Sequence, residues 1–169
     1  MDRYLLDSNS FITPYKNYYA FDLVPRYWDM FKAVLMRNDV ALLDMVYDEI
    51  DAGNDALTEW LKQINGINIL NHREPTVVSK YGEVIRYLSS SPLYSDKAVR
   101  QWASSIADPW LIATASVNDY KIITFETPNK NLNSKNPAGK PKIPDVANVF
   151  NVQCENLFYF MRKTSIYIQ

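Results

Sequence analysis

Five acids stand where carboxylates could do chemistry together: Asp7, Glu49, Asp108, Glu126 and Asp145. Asp7 directly follows the apolar run Tyr4-Leu5-Leu6, and Glu49 lies in Tyr47-Asp48-Glu49-Ile50, shortly after Val40-Ala41-Leu42-Leu43. Asp108 precedes Pro109, Glu126 lies just past Lys121-Ile122-Ile123-Thr124, and Asp145 sits in Ile143-Pro144-Asp145-Val146. Carboxylates gathered at one edge repel one another, and their ionised forms cost free energy without a counter-charge. A hard divalent cation resolves this, because Mg²⁺ takes oxygen ligands and keeps several waters, so a few carboxylates suffice. Such an ion activates a water and neutralises charge building on a phosphate. Each acid also has a quieter explanation. Asp108 and Asp145 stand beside prolines at helix starts, where a carboxylate satisfies free amides; for Asp145, cap and ligand stay open.

The elements that must position these acids follow from the apolar pattern. Tyr4–Leu6, Val40–Leu43 and Lys121–Thr124 read as buried strands, with Ile67 and Ile69-Leu70 as a short edge strand. Helical spacing runs from Phe21 to Met36, opens again at Tyr47–Ile50, breaks at Gly53-Asn54 and resumes over Leu57–Ile64. After Pro75 a helix turns Val78, Tyr81, Ile85 and Leu88 inward. Further helices run from Ser95-Asp96 to Trp102, from an Asp108 cap followed by Pro109, over Val146–Phe150 and over Asn156–Met161. Apolar strands separated by helices predict an α/β fold, a three-layer α/β/α sandwich with a mainly parallel sheet. Ligands of such sheets sit at the carboxyl ends of the strands, which is where the acids fall.

Four segments in order carry a resemblance. Tyr4-Leu5-Leu6-Asp7-Ser8-Asn9 resembles the opening of PIN-domain nucleases, a strand followed by Asp-x-Asn. Tyr47-Asp48-Glu49-Ile50 is similar to their second motif, and Ala107-Asp108-Pro109-Trp110-Leu111-Ile112-Ala113 to their third. Ile122-Ile123-Thr124-Phe125-Glu126 is similar to the fourth, a strand ending in Thr-x-Asp, with Glu126 where the family usually has Asp. The resemblance implies that Asp7, Glu49 and Asp108 are the core metal ligands and that Asn9 supports Asp7, although Asn9 also reads as a turn residue. Glu126, one methylene longer than Asp, would bind through water or reach a second ion. The implied activity is cleavage of RNA with Mg²⁺ or Mn²⁺. A lone domain of this length most resembles the toxin nucleases of bacterial toxin–antitoxin pairs, which implies a cognate antitoxin partner.

The segment 127–144 is an insertion relative to that pattern. It carries Lys130, Lys135, Lys140 and Lys142 with no acid, and is rich in proline and asparagine. Lysines bordering an acidic pocket would hold the phosphate backbone; a solvated surface loop is the plain alternative. Tyr15, Tyr18, Tyr19 and Phe21 would stack on bases or pack the core or a homodimer interface.

At 169 residues with 47% hydrophobic and 22% charged residues, the chain reads as one globular domain over 1–169. A net charge of −1 excludes strong attraction to polyanions by the chain as a whole. No apolar run approaches a bilayer span and no secretory leader is read, so no membrane is expected. One cysteine, Cys154, suits a reducing cytoplasm. With a single histidine, His72, a His/Cys zinc site lacks ligands and a Ser-His-Asp triad lacks its elbow. Two competing functions remain. A haloacid-dehalogenase-type phosphatase also opens on a strand ending in Asp but needs Asp-x-Asp, and Asn9 cannot act as that second acid. The other is a binding module with an inactive PIN-like fold.

Overall fold

Strands with no polar face must be covered on both sides. Tyr4-Leu5-Leu6, Val40-Ala41-Leu42-Leu43 and Ile122-Ile123 meet that condition, and all are buried in the computed structural model. The structure describes residues 2–104 and 106–168. In chain order the elements are β1 (Tyr4–Leu6), α1 (Asn9–Thr13), a π-helical segment (Pro14–Tyr18), α2 (Pro25–Leu35), β2 (Val40–Leu43), α3 (Asp44–Asp51), α4 (Ala56–Lys62) and β3 (Ile69–Leu70). They continue with α5 (Pro75–Ser90), α6 (Asp96–Trp102), α7 (Asp108–Asn118), β4 (Lys121–Ile123), α8 (Ile143–Val149), β5 (Cys154–Glu155) and α9 (Leu157–Lys163).

The chain forms two compact units. The first holds the residues up to Asn71, Lys121–Phe125 and those from Glu155 on; the second holds His72–Tyr120 and Glu126–Cys154. The first unit is built on the sheet, in the order β3-β2-β1-β4-β5. Pairings of β1 with β2, β1 with β4, and β2 with β3 are parallel, as the apolar runs predict. Leu6 lies level with Leu42 on one side and Ile123 on the other. The chain leaves β1 for β2 in one direction and later returns to its other flank as β4. That reversal is a topological switch point, and in open α/β sheets ligands bind outside the carboxyl ends of the strands at such a point. Around the sheet, Phe11, Tyr27, Trp28 and Phe31 form a buried aromatic cluster, and the Tyr4 ring meets Phe160 of α9 edge-on at 5.2 Å. Burial pushes the Tyr27 hydroxyl well above the ordinary tyrosine range.

In the second unit α5 packs on α7. Residues from Pro109 through Ala115, except Trp110, are buried or nearly so in α7, which is apolar all round, as a central helix must be. The Tyr81 ring of α5 lies flat on Trp110 of α7, with centroids 3.7 Å apart and planes 9° from parallel. Asp119, at φ 57°, ends α7 in the left-handed region that Asp tolerates better than most residues.

Four details differ from the sequence-based expectation. The inward stripe of α5 is Val77, Val84 and Leu88, with Tyr81 half-buried; Val78 is 44% exposed and Ile85 lies beside the stripe. Adjacent β-branched residues made the phase ambiguous by one position. Over 9–18 the sequence predicts nothing beyond a turn alternative at Asn9, and this segment is helical, because Ser8 and Asp7 carbonyls accept the first amides of α1. Ala107, not Asp108, is the N-cap of α7, and Asp108 is its first helical residue. The fifth strand, β5, is two residues without an apolar run and had no periodic signal to show. No described helix is long and apolar enough to cross a membrane.

The phase of α5 is open to measurement by denaturant unfolding. Leu88→Ala is expected to cost about 2–5 kcal/mol, and Val78→Ala less than about 0.5 kcal/mol. A larger loss at Val78 than at Leu88 would mean the helix presents its other face.

Candidate active site

The carboxyl end of β1 sets the first part of the site. The Asp7 N–H continues the ladder past the strand by donating to the Ile123 carbonyl at 2.9 Å. That same carbonyl accepts the Ser10 hydroxyl at 2.9 Å, and the Asp7 carbonyl accepts the Ser10 N–H at 2.9 Å. The chain therefore turns into α1 immediately, and Asp7 is left at the edge of β4, only 4% exposed.

A buried carboxylate needs donors, and Thr124 supplies one. Its hydroxyl donates to Asp7 Oδ2 at 2.8 Å. Asn9 fixes the direction of that bond. The Phe125 N–H, an obligate donor, points at one end of the Asn9 amide at 2.9 Å, so that end is Oδ1. Nδ2 then faces Thr124 Oγ1 at 3.1 Å and donates to it. Accepting from Asn9 on one side, the Thr124 hydroxyl has its proton free to donate to Asp7 Oδ2 on the other. Thr124 had appeared in the sequence only as part of a motif; its signal was its place right after β4, level with Asp7.

Glu49 lies on α3 with Val46 and Ile50 buried on the helix's inner face, so Glu49 itself is exposed. Asp44 opens α3 at the end of β2 and was not singled out by spacing; its Oδ1 accepts the Met45 N–H at 2.8 Å, a local cap.

In the second unit each acid meets other partners. Glu126 accepts from the Lys142 ammonium through Oε1 at 3.2 Å and from the Ile143 N–H, the first amide of α8, through Oε2 at 2.8 Å. Asp145, in the first turn of α8, accepts the Asn129 N–H with both oxygens at 3.2 and 3.0 Å. Asp108 stands in the first turn of α7, where an acid favours the helix dipole. The segment after Glu126 is ordered, not structureless. Asn129 and Asn133 side chains accept amides of Asn131, Lys135 and Asn136, and Ala138 bridges to Leu93 and Ser95 through backbone bonds of 2.8 and 3.1 Å. Lys130, Lys135 and Lys140 are exposed on that scaffold, while Lys142 is engaged with Glu126.

The sequence-predicted donors are all carboxylates, which fit Mg²⁺ or Mn²⁺ in chemistry. Among the described residues, no three His, Cys, Asp or Glu side chains are grouped so as to hold a metal ion. What the first unit does show is a polar relay from Asn9 through Thr124 to Asp7. Thr124→Val removes its central hydroxyl at nearly constant volume and is expected to cost about 1.5–3 kcal/mol in urea unfolding. Thr124→Ser keeps the donor and should lose only about 1 kcal/mol for the missing methyl. Equal stability of Thr124→Val and the native chain would remove the hydroxyl from this role.

The fold has solved counterparts. VapBC2 from Rickettsia felis bound to a DNA fragment from their promoter aligns with a TM-score of 0.56 and 15% identity, covering 90% of this chain and 97% of that one. DNA-bound VapBC from Salmonella typhimurium aligns with a TM-score of 0.50 and 15% identity, covering 93% and 99%. At that identity the likeness is one of fold. No curated protein matches the sequence. Matched over residues 4–168, the chain belongs to the family described as Domain of unknown function (DUF4411), and it carries the PIN-like α/β fold shared with those VapBC chains.

Proposed function

We propose that the chain is a Mg²⁺- or Mn²⁺-dependent endoribonuclease of PIN type and the toxin of a toxin–antitoxin pair. The observation that carries this reading is Asp7, a buried carboxylate held as an acceptor at the carboxyl end of the central strand, at the switch point where α/β sheets bind ligands. VapBC complexes as fold relatives support an antitoxin partner.

In this reading Asp7, Glu49 and Asp108 would hold the ion, which would have to draw them together, since among the described residues no three such side chains are grouped. Bound there, the ion would activate a water and neutralise charge on the phosphate. Thr124 keeps the Asp7 carboxylate from rotating, and Asn9 keeps Thr124 aimed. Glu126 and Asp145 would first have to exchange their present partners, so they act as outer carboxylates that deepen the negative potential. Lys130, Lys135 and Lys140, and to a lesser degree Lys142, bind the phosphate backbone and offset that potential for RNA. The phosphatase alternative finds no support, since Asn9 stands where that chemistry needs an acid and both ends of its amide are committed.

Purified protein incubated with single-stranded RNA should cut only with Mg²⁺ or Mn²⁺ present and not in EDTA. Asp7→Asn keeps the size and removes the charge, and should slow cutting by roughly 10²-fold or more, a loss of about 2.7 kcal/mol in transition-state stabilisation. Full activity of Asp7→Asn, or of the native chain in EDTA, would end this mechanism, and inactivity of the native chain under all conditions would favour a binding module. Replacing Lys130, Lys135 and Lys140 by Ala should weaken RNA binding and reduce the log–log salt slope by about 2, at about 0.7 per phosphate contact. An unchanged slope would return the segment to an ordinary surface loop.

A further inference from the structure

The first unit carries three neighbouring aromatic rings, two of them exposed and the third, Phe125, half-buried. Tyr18 closes the π-helical segment, Phe125 follows Thr124, and Phe158 lies in the first turn of α9. Tyr18 lies nearly parallel to Phe125, with centroids 6.2 Å apart and planes at 24°. Phe158 stands edge-on to both, at 6.4 and 6.2 Å. Tyr18 is 55% and Phe158 39% exposed. An exposed cluster of large apolar rings is the informative departure from ordinary surfaces.

We infer that Tyr18, Phe125 and Phe158 form a stacking platform for an unpaired base of single-stranded RNA, placing the adjoining phosphate at Asp7. The inference rests on the nuclease reading above. Two observations select a nucleotide over an apolar peptide. The first is indexing. Phe125 is bonded to Thr124, whose hydroxyl holds Asp7, and its own N–H is held by Asn9. Adjacent Cα atoms are about 3.8 Å apart, so a base on this platform lies within a nucleotide's reach of the carboxylate. The second is charge. The segments bearing Tyr18 and Phe158, Pro14–Tyr18 and Leu157–Lys163, contain no acid and carry Lys16 and Arg162, while Lys163 lies over the Tyr159 ring. A polyanion is favoured there although the whole chain is slightly acidic. Beyond Phe158, a cavity of about 270 Å³ is bordered by Arg162, Met161 and Tyr167, which offers the next nucleotide a cation beside apolar walls.

The test separates base from backbone. Binding is measured by fluorescence anisotropy in the Asp7→Asn background, using a short oligouridylate and an abasic ribose-phosphate strand of equal length. Combining Tyr18→Ala with Phe158→Ala should weaken oligouridylate binding by about tenfold or more. Abasic binding should stay unchanged, and Tyr18→Phe with Phe158→Trp should keep both affinities. Both replaced rings are exposed, and thermal melting checks that the fold is intact. Equal loss on the two strands, or no loss on either, overturns the platform. So does unchanged RNA binding with weakened self-association in sedimentation velocity, which would assign the rings to a second copy of the chain. If the native chain cuts RNA while the ring variant binds as before, only the platform fails. If the native chain neither binds nor cuts RNA, the nuclease reading fails and the platform with it.

Discussion

A carboxylate removed from water must be given donors, and at Asp7 that requirement is met across a strand pairing. The Thr124 hydroxyl reaches Asp7 only because β1 and β4 run parallel with Leu6 level with Ile123. A slip of one residue would turn Thr124 to the other face and offer Ile123 or Phe125 in its place. Several features are tied to the same register. The Ile123 carbonyl accepts both the Asp7 N–H and the Ser10 hydroxyl, so the start of α1 is fixed to the end of β4. The Asn9 amide, two residues past Asp7, has only one orientation that satisfies Phe125. Sheet register, helix entry and carboxylate orientation thus form one cooperative arrangement, in which no member is well satisfied alone.

The acids of the second unit are satisfied by different means. At Glu126 the extra methylene relative to Asp lets one carboxylate span the Lys142 ammonium and the Ile143 amide together. It thereby supplies the cap that α8 lacks from its own N-cap residue, Lys142. Asp145 uses both oxygens on the amide of Asn129 and so pins the start of the lysine-bearing segment. Asparagine side chains then fold that segment on itself by accepting nearby amides, a local substitute for secondary structure. The result is a polar scaffold that orders the backbone without an apolar core and leaves Lys130, Lys135 and Lys140 pointing to solvent.

The legible parts of the fold were those with a strong period or a strong boundary. The runs Tyr4–Leu6, Val40–Leu43 and Lys121–Ile123 announced a parallel sheet because they lack a polar face. Ser95 announced α6 because a serine before a helix satisfies an amide, here that of Ala98. β5 was hidden because two residues carry no periodicity. The phase of α5 was hidden because Val77 and Val78 are equally apolar, and only packing against α7 distinguishes them. At the site, Asp7 was legible from its position after a strand. Thr124 was not, because a hydroxyl acquires a role only when a register decides what it faces. The ring cluster of Tyr18, Phe125 and Phe158 brings together three distant stretches of chain, which no local pattern could announce.

Carboxylates drawn out of water share one demand whatever their use. An ionised acid with nothing to accept from would destabilise the chain. Here the partners include a threonine hydroxyl at Asp7, a backbone amide at Asp145, and one lysine with one amide at Glu126. An arginine fork, whose two parallel bonds hold a carboxylate more strongly, is a different device. Bidentate Arg37 is spent on Asp39 at the entry to β2, where its guanidinium holds that carboxyl below the usual range. At Asp7 the holding bond comes from a hydroxyl across the β1–β4 pairing, so its orientation depends on sheet register rather than on a neighbouring charge in its own loop.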